Sequence, residues 1–229
     1  MTREQVRQIL SRSKWFSGLP EALAEGILAE SRIRRFHSQP VYLTGDEPNG
    51  LFLLLSGMVQ LVHTTGDGNV VLLGVNNPGS SFGESSMIDG DPRLSDALAI
   101  GEVELLHLGN AGFRKLTAEN VEHYAAFARL LGIHHRMAMA HIVSSATLPL
   151  RTRLAQRLLL FTQLAGRSSS DGAKNEFHLS QESLASHLGV SRQTLNKLLK
   201  SFEADGLIDI RYGRIALKDP DAIAERARA

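Results

Sequence analysis

The chain has 229 residues, of which 43% are hydrophobic and 21% charged, and its formal net charge is +1. This composition excludes wholesale disorder, and the length suits two domains. The absence of cysteine excludes disulfides, thiolate zinc sites, cysteine-ligated iron–sulfur clusters and a catalytic thiol. No apolar run approaches the roughly 20 residues that span a bilayer, and the charged N-terminus is unlike a signal peptide. We therefore expect a cytoplasmic protein without membrane contact.

The net charge hides an asymmetry between the two parts of the chain. Residues 1–147 hold 12 Lys and Arg against 15 Asp and Glu, which gives −3. Residues 148–229 hold 13 against 9, which gives +4. A basic C-terminal third indicates a module that binds a polyanion.

The first 118 residues are predicted to form short helices followed by a compact β-roll or barrel. Residues 3–31 are helical in pattern. Between residues 41 and 108, apolar stretches of strand length alternate with turn signals, which is typical of such an all-β unit. The sequence Gly66-Asp67-Gly68 lies between two apolar strands and predicts a hairpin.

Residues 119–147 are predicted to form one long helix, capped by Thr117 and ended ahead of Pro149. Small and apolar residues, with one histidine, recur along it at intervals of three and four. They are Ala125, Ala128, Gly132, His135, Met139, Ile142 and Ala146. This stripe fits a dimerisation helix, and it also fits an ordinary buried helix.

Residues 148–229 are predicted to form a winged helix-turn-helix domain, with a loop at 167–172. Ser180 can cap a first helix, Gly189 suits the turn after it, and Ser191 can cap a second helix. Two short strands near Ile208 and Ile215 would form the wing. Polar and basic side chains on and around the second helix suit base edges and phosphates. The predicted DNA contacts are Ser180, Ser191, Arg192, Gln193, Thr194, Asn196, Lys197, Lys200 and Arg214. The alternative is a solvated face on an ordinary helical hairpin.

A possible ligand cassette lies in the segment 79–97. Gly83 and Glu84 precede a short helix, and Arg93 follows it. Backbone N–H groups and an arginine can hold a phosphate, while a glutamate can accept from a ribose hydroxyl. A salt bridge between Arg93 and Glu84 in an empty roll would explain the same residues.

The order of β-roll, Gly-Glu…Arg cassette, long helix and winged helix-turn-helix resembles the CRP/FNR superfamily of bacterial transcription regulators. The resemblance runs from about Phe36 to Leu217. It implies an α+β protein with an N-terminal double-stranded β-roll of the cyclic-nucleotide-binding type, a dimerisation helix and a C-terminal winged helix-turn-helix. The implied partners are a second copy of the chain, a palindromic operator in double-stranded DNA, and RNA polymerase.

The resemblance also marks candidate effector residues and departures from the family pattern. In members that bind cyclic AMP, residues matching Gly83, Glu84 and Arg93 hold the phosphate and ribose. The Ser or Thr usual after the arginine is Leu94 here, and the Thr-Ser pair that contacts adenine aligns with Ala138 and Met139. Ser85, Ser86 and Ser95 can replace the first hydroxyl. A cyclic nucleotide remains a candidate effector, and these changes argue against cyclic AMP itself.

The recognition helix departs from the family pattern as well. Members that read the catabolite-type half-site present Arg, Glu and a second Arg four residues after the Glu. These positions are Arg192, Gln193 and Lys197 here. A related but distinct operator is therefore expected.

The leading interpretation is a transcription regulator gated by a small effector in the roll. The alternatives are a regulator with an empty roll, a member that senses haem or metal through histidines such as His134 and His141, a partner-binding winged helix, and an enzyme with a regulatory roll. The histidines lack the spacing of a ligand set, so we interpret them as solvated or interface residues. No catalytic constellation is present in the sequence, so no enzymatic activity is expected.

Overall fold

A computed structural model describes residues 1–166, 176–178, 180–211 and 214–228. The predicted loop at 167–172 lies outside these residues. The chain divides into two compact units. The first contains residues 1–63 and 75–137, and the second contains residues 64–74 and 138–229.

Both units combine helices with antiparallel strands. The helices are α1 (Arg3–Leu10), α2 (Lys14–Ser17), α3 (Glu21–Glu30), α4 (Glu84–Asp89), α5 (Asn110–Glu119), α6 (Val121–Thr147), α7 (Leu150–Gly166), α8 (Gln181–Leu188), α9 (Arg192–Ala204) and α10 (Pro220–Ala227). The strands are β1 (Ser31–His37), β2 (Pro40–Tyr42), β3 (Gly50–Thr64), β4 (Val70–Asn76), β5 (Ser81–Phe82), β6 (Asp96–Gly109), β7 (Glu176–His178), β8 (Ile208–Arg211) and β9 (Arg214–Leu217).

The β-roll is built on one sheet with the strand order β1-β6-β3-β4, with β2 paired to β6 and β5 paired to β3. The two long strands β3 and β6 run antiparallel, and Phe52 lies opposite His107 while Leu53 lies opposite Leu106. Because side chains alternate across a strand, the two faces of the sheet carry separate cores. One core holds the aromatic residues of the roll, including Phe52 and Phe82.

The other face of the sheet packs against helices. Its core contains Leu53 and Leu106 from the strands together with apolar residues of α1, α2, α3, α5 and α6. Trp15 joins α2 to α6, since its ring lies 5.9 Å from that of Phe127 and its Nε1 donates to the carbonyl of Ala126 at 2.7 Å. The roll therefore has one face that packs against helices and one face that carries a separate buried core of aromatic and aliphatic residues.

The start of the long helix differs from the sequence prediction. Residues up to Glu119 belong to α5, Asn120 is extended, and α6 begins at Val121 and ends at Thr147. Thr117 does not cap α6, because its hydroxyl donates to the carbonyl of Phe113 within α5. Asn120 takes that role, since its Oδ1 accepts from the backbone N–H of Glu122 at 2.9 Å.

The second unit contains the helix pair α8–α9 and a small sheet with the order β7-β9-β8. The apolar residues Leu184 and Leu188 of α8 and Leu195 and Leu199 of α9 are buried. The tip of the β3–β4 hairpin, residues 64–74, also belongs to this unit. In the described part of the chain, no helix is both long enough and apolar enough to cross a membrane.

Candidate functional site

Arg93 is the central polar residue of the roll. Its side chain is buried, and its guanidinium lies 4.3 Å from the centre of the Tyr42 ring. Nη1 donates to the carbonyl of Gly83, and Nη2 donates to Asn49 Oδ1 and to the carbonyl of Gly50, all at 2.7 Å. The Nε atom is buried and has no hydrogen-bond partner among the described residues. A buried guanidinium held by neutral acceptors carries a charge that an anion can compensate.

Gly83 is fixed at its position by Arg93. Its φ of +90° lies in the left-handed region, and a Cβ atom there would lie 2.8 Å from Arg93 Nη1. Only glycine combines this backbone conformation with this approach. The Gly-Glu pair predicted from the sequence therefore has a steric basis in the fold.

Glu84 faces a partner that sequence reasoning missed. Its Oε1 lies 2.7 Å from Nδ1 of His134 on α6, while its Oε2 is buried and has no hydrogen-bond partner within the residues that the structure describes. The Arg93–Glu84 salt bridge, the alternative explanation of these residues, does not form, because the two side chains hydrogen-bond to other groups. Burial lowers the pKa of His134, but the hydrogen bond and charge of Glu84 outweigh it and leave that pKa raised.

The other predicted effector residues make fewer contacts with the Arg93–Glu84 site. Ser85 is half-buried, Ser95 is buried, and the Ser86 hydroxyl donates to the carbonyl of Pro92 at 3.3 Å. Leu94 is 70% exposed, so it does not line the interior of the roll. Ala138 and Met139 are exposed on α6 and fall in the second unit.

Aromatic and cationic side chains surround Arg93 in the roll. Phe52 stacks on His107 with a centroid distance of 4.4 Å and on Phe82 at 5.5 Å. Burial, aided by the charges of Arg34 and Arg93, lowers the pKa of His107. Burial raises the pKa of Tyr42 to about 12, so its phenol stays neutral. These residues could not be assigned to the site from sequence, because their strands meet there only through long-range pairing.

The interpretation of the histidines as solvated or interface residues is wrong for His123, and His134 is half-buried rather than fully solvated. His123 is buried and its Nδ1 donates to the carbonyl of Leu116 at 2.8 Å, while His134 pairs with Glu84. His141 contacts Arg157 through its Nδ1. Among the described residues, no three His, Asp or Glu side chains come together in a set that could hold a metal ion.

The helix-turn-helix forms with the predicted caps. Ser180 Oγ accepts from the backbone N–H of Ser183 at 3.0 Å, and Ser191 Oγ accepts from that of Thr194 at 3.1 Å. Gly189 adopts the left-handed conformation with φ of +66°. These caps fix where α8 ends and where α9 begins.

The outer face of α9 is polar and accessible. Arg192, Gln193, Lys197 and Lys200 are exposed, and Asn196 is half-exposed. Arg214, at the start of β9, is exposed as well. Within the described residues, no carboxylate forms an ion pair with Arg192, Lys197 or Lys200. These cations are therefore available to base edges and phosphates.

Comparison with known families gives two matches along the chain. Residues 37–120 match the family described as cyclic nucleotide-binding domain, and residues 152–226 match the Crp-like helix-turn-helix domain. The first match contains the Arg93–Glu84 site, and the second contains α8, α9 and both wing strands.

Individual relatives match over most of their length. The CRP-like cAMP-activated global transcriptional regulator of Mycobacterium tuberculosis is 28% identical over 222 residues, covering 96% of this chain and 99% of that protein. The global nitrogen regulator of Synechococcus elongatus is 26% identical over 190 residues, covering 81% and 85%. A solved transcriptional regulator of the CRP family from Thermus thermophilus is 28% identical with a TM-score of 0.71, covering 86% and 97%.

The fold and both sites thus define a DNA-binding transcription regulator with a sensor domain of the cyclic-nucleotide-binding type. With its two family matches in this order and these relatives, the chain belongs to the CRP/FNR superfamily.

The His134–Glu84 pair predicts a pH dependence of stability. Because the folded pKa of His134 is raised above its ordinary value, the pair stabilises the first unit fully below about pH 6.5. That stabilisation is lost as the pH rises through the folded pKa of His134. We expect the free energy of unfolding of the wild type to contain this component and that of His134→Gln to lack it.

NMR titration of the His134 ring measures the folded pKa directly, and denaturant unfolding at several pH values measures the stability. His135→Gln is the matched control, because His135 is the exposed neighbour on α6. A His134 pKa at or below its ordinary value in the folded protein would contradict the prediction.

Proposed function

We propose that this protein is a homodimeric regulator that reads a palindromic operator and whose DNA affinity is set by a small anionic effector held by Arg93 and Glu84. The supporting observation is that buried polar atoms of both residues, Arg93 Nε and Glu84 Oε2, have no hydrogen-bond partner in the described part of the chain. In this proposal the regulator acts in the cytoplasm, and RNA polymerase is its partner at the promoter.

A cyclic nucleotide fits the chemistry of the two orphan atoms. Arg93 supplies a fixed positive charge for a phosphate, and Glu84 supplies an acceptor for a hydroxyl. The Mycobacterium relative is named as cAMP-activated, but here the positions implied by the resemblance carry Leu94, Ala138 and Met139. None of these offers a hydroxyl, so we expect cyclic AMP to bind weakly or not at all.

A second candidate is a regulator whose roll works without an effector. The specific observation in its favour is that both Nη atoms of Arg93 already donate to Gly83, Asn49 and Gly50. A phosphate would have to compete with these acceptors. This candidate predicts full operator affinity in the absence of any small molecule.

The proposed dimer contact is the exposed stripe of α6. Met139 and Ile142 are 43% and 56% exposed, and Ala125, Ala128 and Ala146 are exposed too. An ordinary buried helix would not leave these apolar residues accessible to water. A second copy of α6 would cover them.

Effector binding should depend on Arg93. We expect a small anionic ligand to be found by a thermal-shift panel of cyclic nucleotides and metabolites, and Arg93→Ala to weaken its binding by about 10- to 100-fold because a charge-assisted hydrogen bond is lost. Calorimetry measures the affinity. Arg35→Ala is the control, since Arg35 is exposed and pairs with Glu104. Tight binding of cyclic AMP, or a ligand indifferent to Arg93→Ala, would contradict this proposal.

Dimerisation should fail when charge is placed in the stripe. Glu at both Ala128 and Gly132 should give monomers that no longer bind the operator, because like charges on the two helices would face each other. Sedimentation velocity measures the oligomeric state, and circular dichroism checks the fold. Arg129→Glu, at an exposed position between the two sites, should leave the dimer intact. An unchanged dimer in the double variant would disprove the contact.

Operator reading should depend on α9 in two distinct ways. Arg192→Ala should cost about 1–3 kcal/mol and relax specificity at one base pair, because a bidentate guanine contact is lost. Lys200→Ala should weaken all sequences alike and reduce the salt slope by about one unit, because a phosphate contact is lost. Binding titrations at several salt concentrations measure both effects, and Lys218→Ala is the control at an exposed site after β9.

The operator itself is found by selection from random DNA. We expect a palindrome with half-sites about one helical turn apart. Gln193 can donate as well as accept, and Lys197 lacks the planar fork of arginine, so the half-site should differ from the catabolite type. Recovery of the unaltered catabolite-type half-site would show that Gln193 and Lys197 do not act as inferred. Recovery of no palindrome would count against the symmetric dimer.

A further inference from the structure

The second unit contains a hairpin that is hydrogen-bonded to the first helix of the helix-turn-helix. Ser186 of α8 bridges two residues of β4, since its Oγ donates to the carbonyl of Val70 at 2.6 Å and accepts from the N–H of Leu72 at 3.0 Å. The next residue, His187, donates from Nδ1 to the carbonyl of Leu72 at 2.9 Å. The side chains of α8 thus hold this strand as a neighbouring strand would.

The second ring nitrogen of His187, Nε2, takes no part in this contact. The residue is only 7% exposed, and its Nε2 is buried with no hydrogen-bond partner from the described ranges of the chain. Its ring stacks on that of His141 with centroids 5.0 Å apart and contacts Phe161 at 5.6 Å. Burial, the Arg157 charge and His141 outweigh the bond to Leu72 and lower the pKa of His187 to about 4.

Arg153 and Arg157, two arginines one turn apart on α7, bring positive charge to the cluster that contains His141 and His187. Arg157 contacts His141 Nδ1, and Arg153 donates from Nη1 to the carbonyl of Leu188 at 3.3 Å. Arg153 Nε is a second buried nitrogen without a partner. Burial and the charges of both arginines lower the pKa of His141, and burial with the Arg153 charge lowers that of Arg157.

The charges of this cluster are not balanced within the described residues. The groups that face one another are Arg153 and Arg157 from α7, His141 from α6 and His187 from α8, and β4 contributes backbone only. In that part of the chain, no carboxylate forms an ion pair with either arginine or hydrogen-bonds to them. Buried charges in proteins are normally paired, and each orphan buried polar atom calls for a ligand.

We propose that Arg153, Arg157 and His187 form a binding site for an oxyanion, a phosphate group, which ties the hairpin to α7 and α8. Arg153 Nε and a free N–H of Arg157 would donate to its oxygens. His187 Nε2 would donate once the ring takes up a proton, while Nδ1 keeps its bond to Leu72. A water molecule could bridge the orphan nitrogens, but it would leave the two arginine charges unbalanced.

This proposed anion site is distinct from the site in the roll. It uses none of the residues around Arg93, and it stands whether or not the roll binds an effector. Because the anion would need protonated His187, its binding should take up a proton and strengthen as the pH falls. Its effect would be to stabilise the hydrogen bonds between α8 and β4.

The test is thermal unfolding of the full chain in increasing inorganic phosphate, with ionic strength held constant by chloride. At about ten times its dissociation constant, phosphate should raise the Tm by about 3 °C or more. The rise should be larger at pH 6 than at pH 8. It should be absent in Arg157→Gln and retained in Arg151→Gln, since Arg151 lies on the same helix but pairs with Asp205.

Two further measurements keep the outcome decisive if Arg157→Gln does not fold. Arg153→Gln should lose the same response, and the ring signals of His187 in the wild type should shift with phosphate in NMR spectra. Two outcomes would overturn the proposal. One is that phosphate stabilises the wild type no more than chloride does. The other is that phosphate raises the Tm of Arg151→Gln and Arg157→Gln by the same amount.

The source of the phosphate group is settled by comparing ligands in the Arg93→Ala background. There the roll site is disabled, so any response comes from elsewhere in the chain. Stabilisation by inorganic phosphate identifies a free anion, whereas stabilisation by adenosine monophosphate alone identifies a nucleotide-borne phosphate. In the wild type, a phosphate response without any effector response that Arg93→Ala removes would count against the roll proposal only.

Discussion

The roll depends on keeping one guanidinium out of water. Transfer of an ionised group into a low-dielectric interior costs several kcal/mol, so Arg93 must be given acceptors. The fold supplies carbonyls from Gly50 and Gly83, both at positive φ, and the amide oxygen of Asn49. A Cβ at Gly50 would lie 2.1 Å from the carbonyl of Leu108, so this position also requires glycine. Two turns of the sheet are therefore shaped around a charge that forms no ion pair with a carboxylate of the described residues.

The cationic side chains of the second unit are stabilised in two different ways. The cations of α9 are exposed, so water solvates them until DNA replaces it, and their free energy depends on salt. On α7, Arg151 is exposed, whereas Arg153 and Arg157 are half-buried and therefore need partners inside the protein. Arg151 finds Asp205 and Ser201, whereas Arg153 and Arg157 contact a carbonyl and a histidine. This difference in burial distinguishes the exposed cations of α9, which DNA can contact, from the half-buried Arg153 and Arg157.

Local signals predicted much of this structure, and long-range contacts account for what they missed. Ser180, Gly189 and Ser191 act within three residues of themselves, so the helix-turn-helix follows from the sequence. The roll was predicted from regularly spaced turn residues. The Gly-Glu…Arg cassette was predicted with the help of a family resemblance, and the family match confirms that resemblance. The pairing of His134 with Glu84 joins residues 50 positions apart, and that of His187 with Leu72 joins residues 115 apart. No periodicity marks such pairs, because only the assembled sheet and helices bring them together.

One strand links the chemistry of the two sites along the chain. β3 begins beside Arg93, where Phe52 lies 5.9 Å from the guanidinium, and it ends in the hairpin whose return strand is held by Ser186 and His187. An effector can alter DNA binding only if it favours one position of such an element over another. An anion that fixes the hairpin acts on the same element. If both ligands bias it, linkage requires each to change the affinity of the other by the same factor.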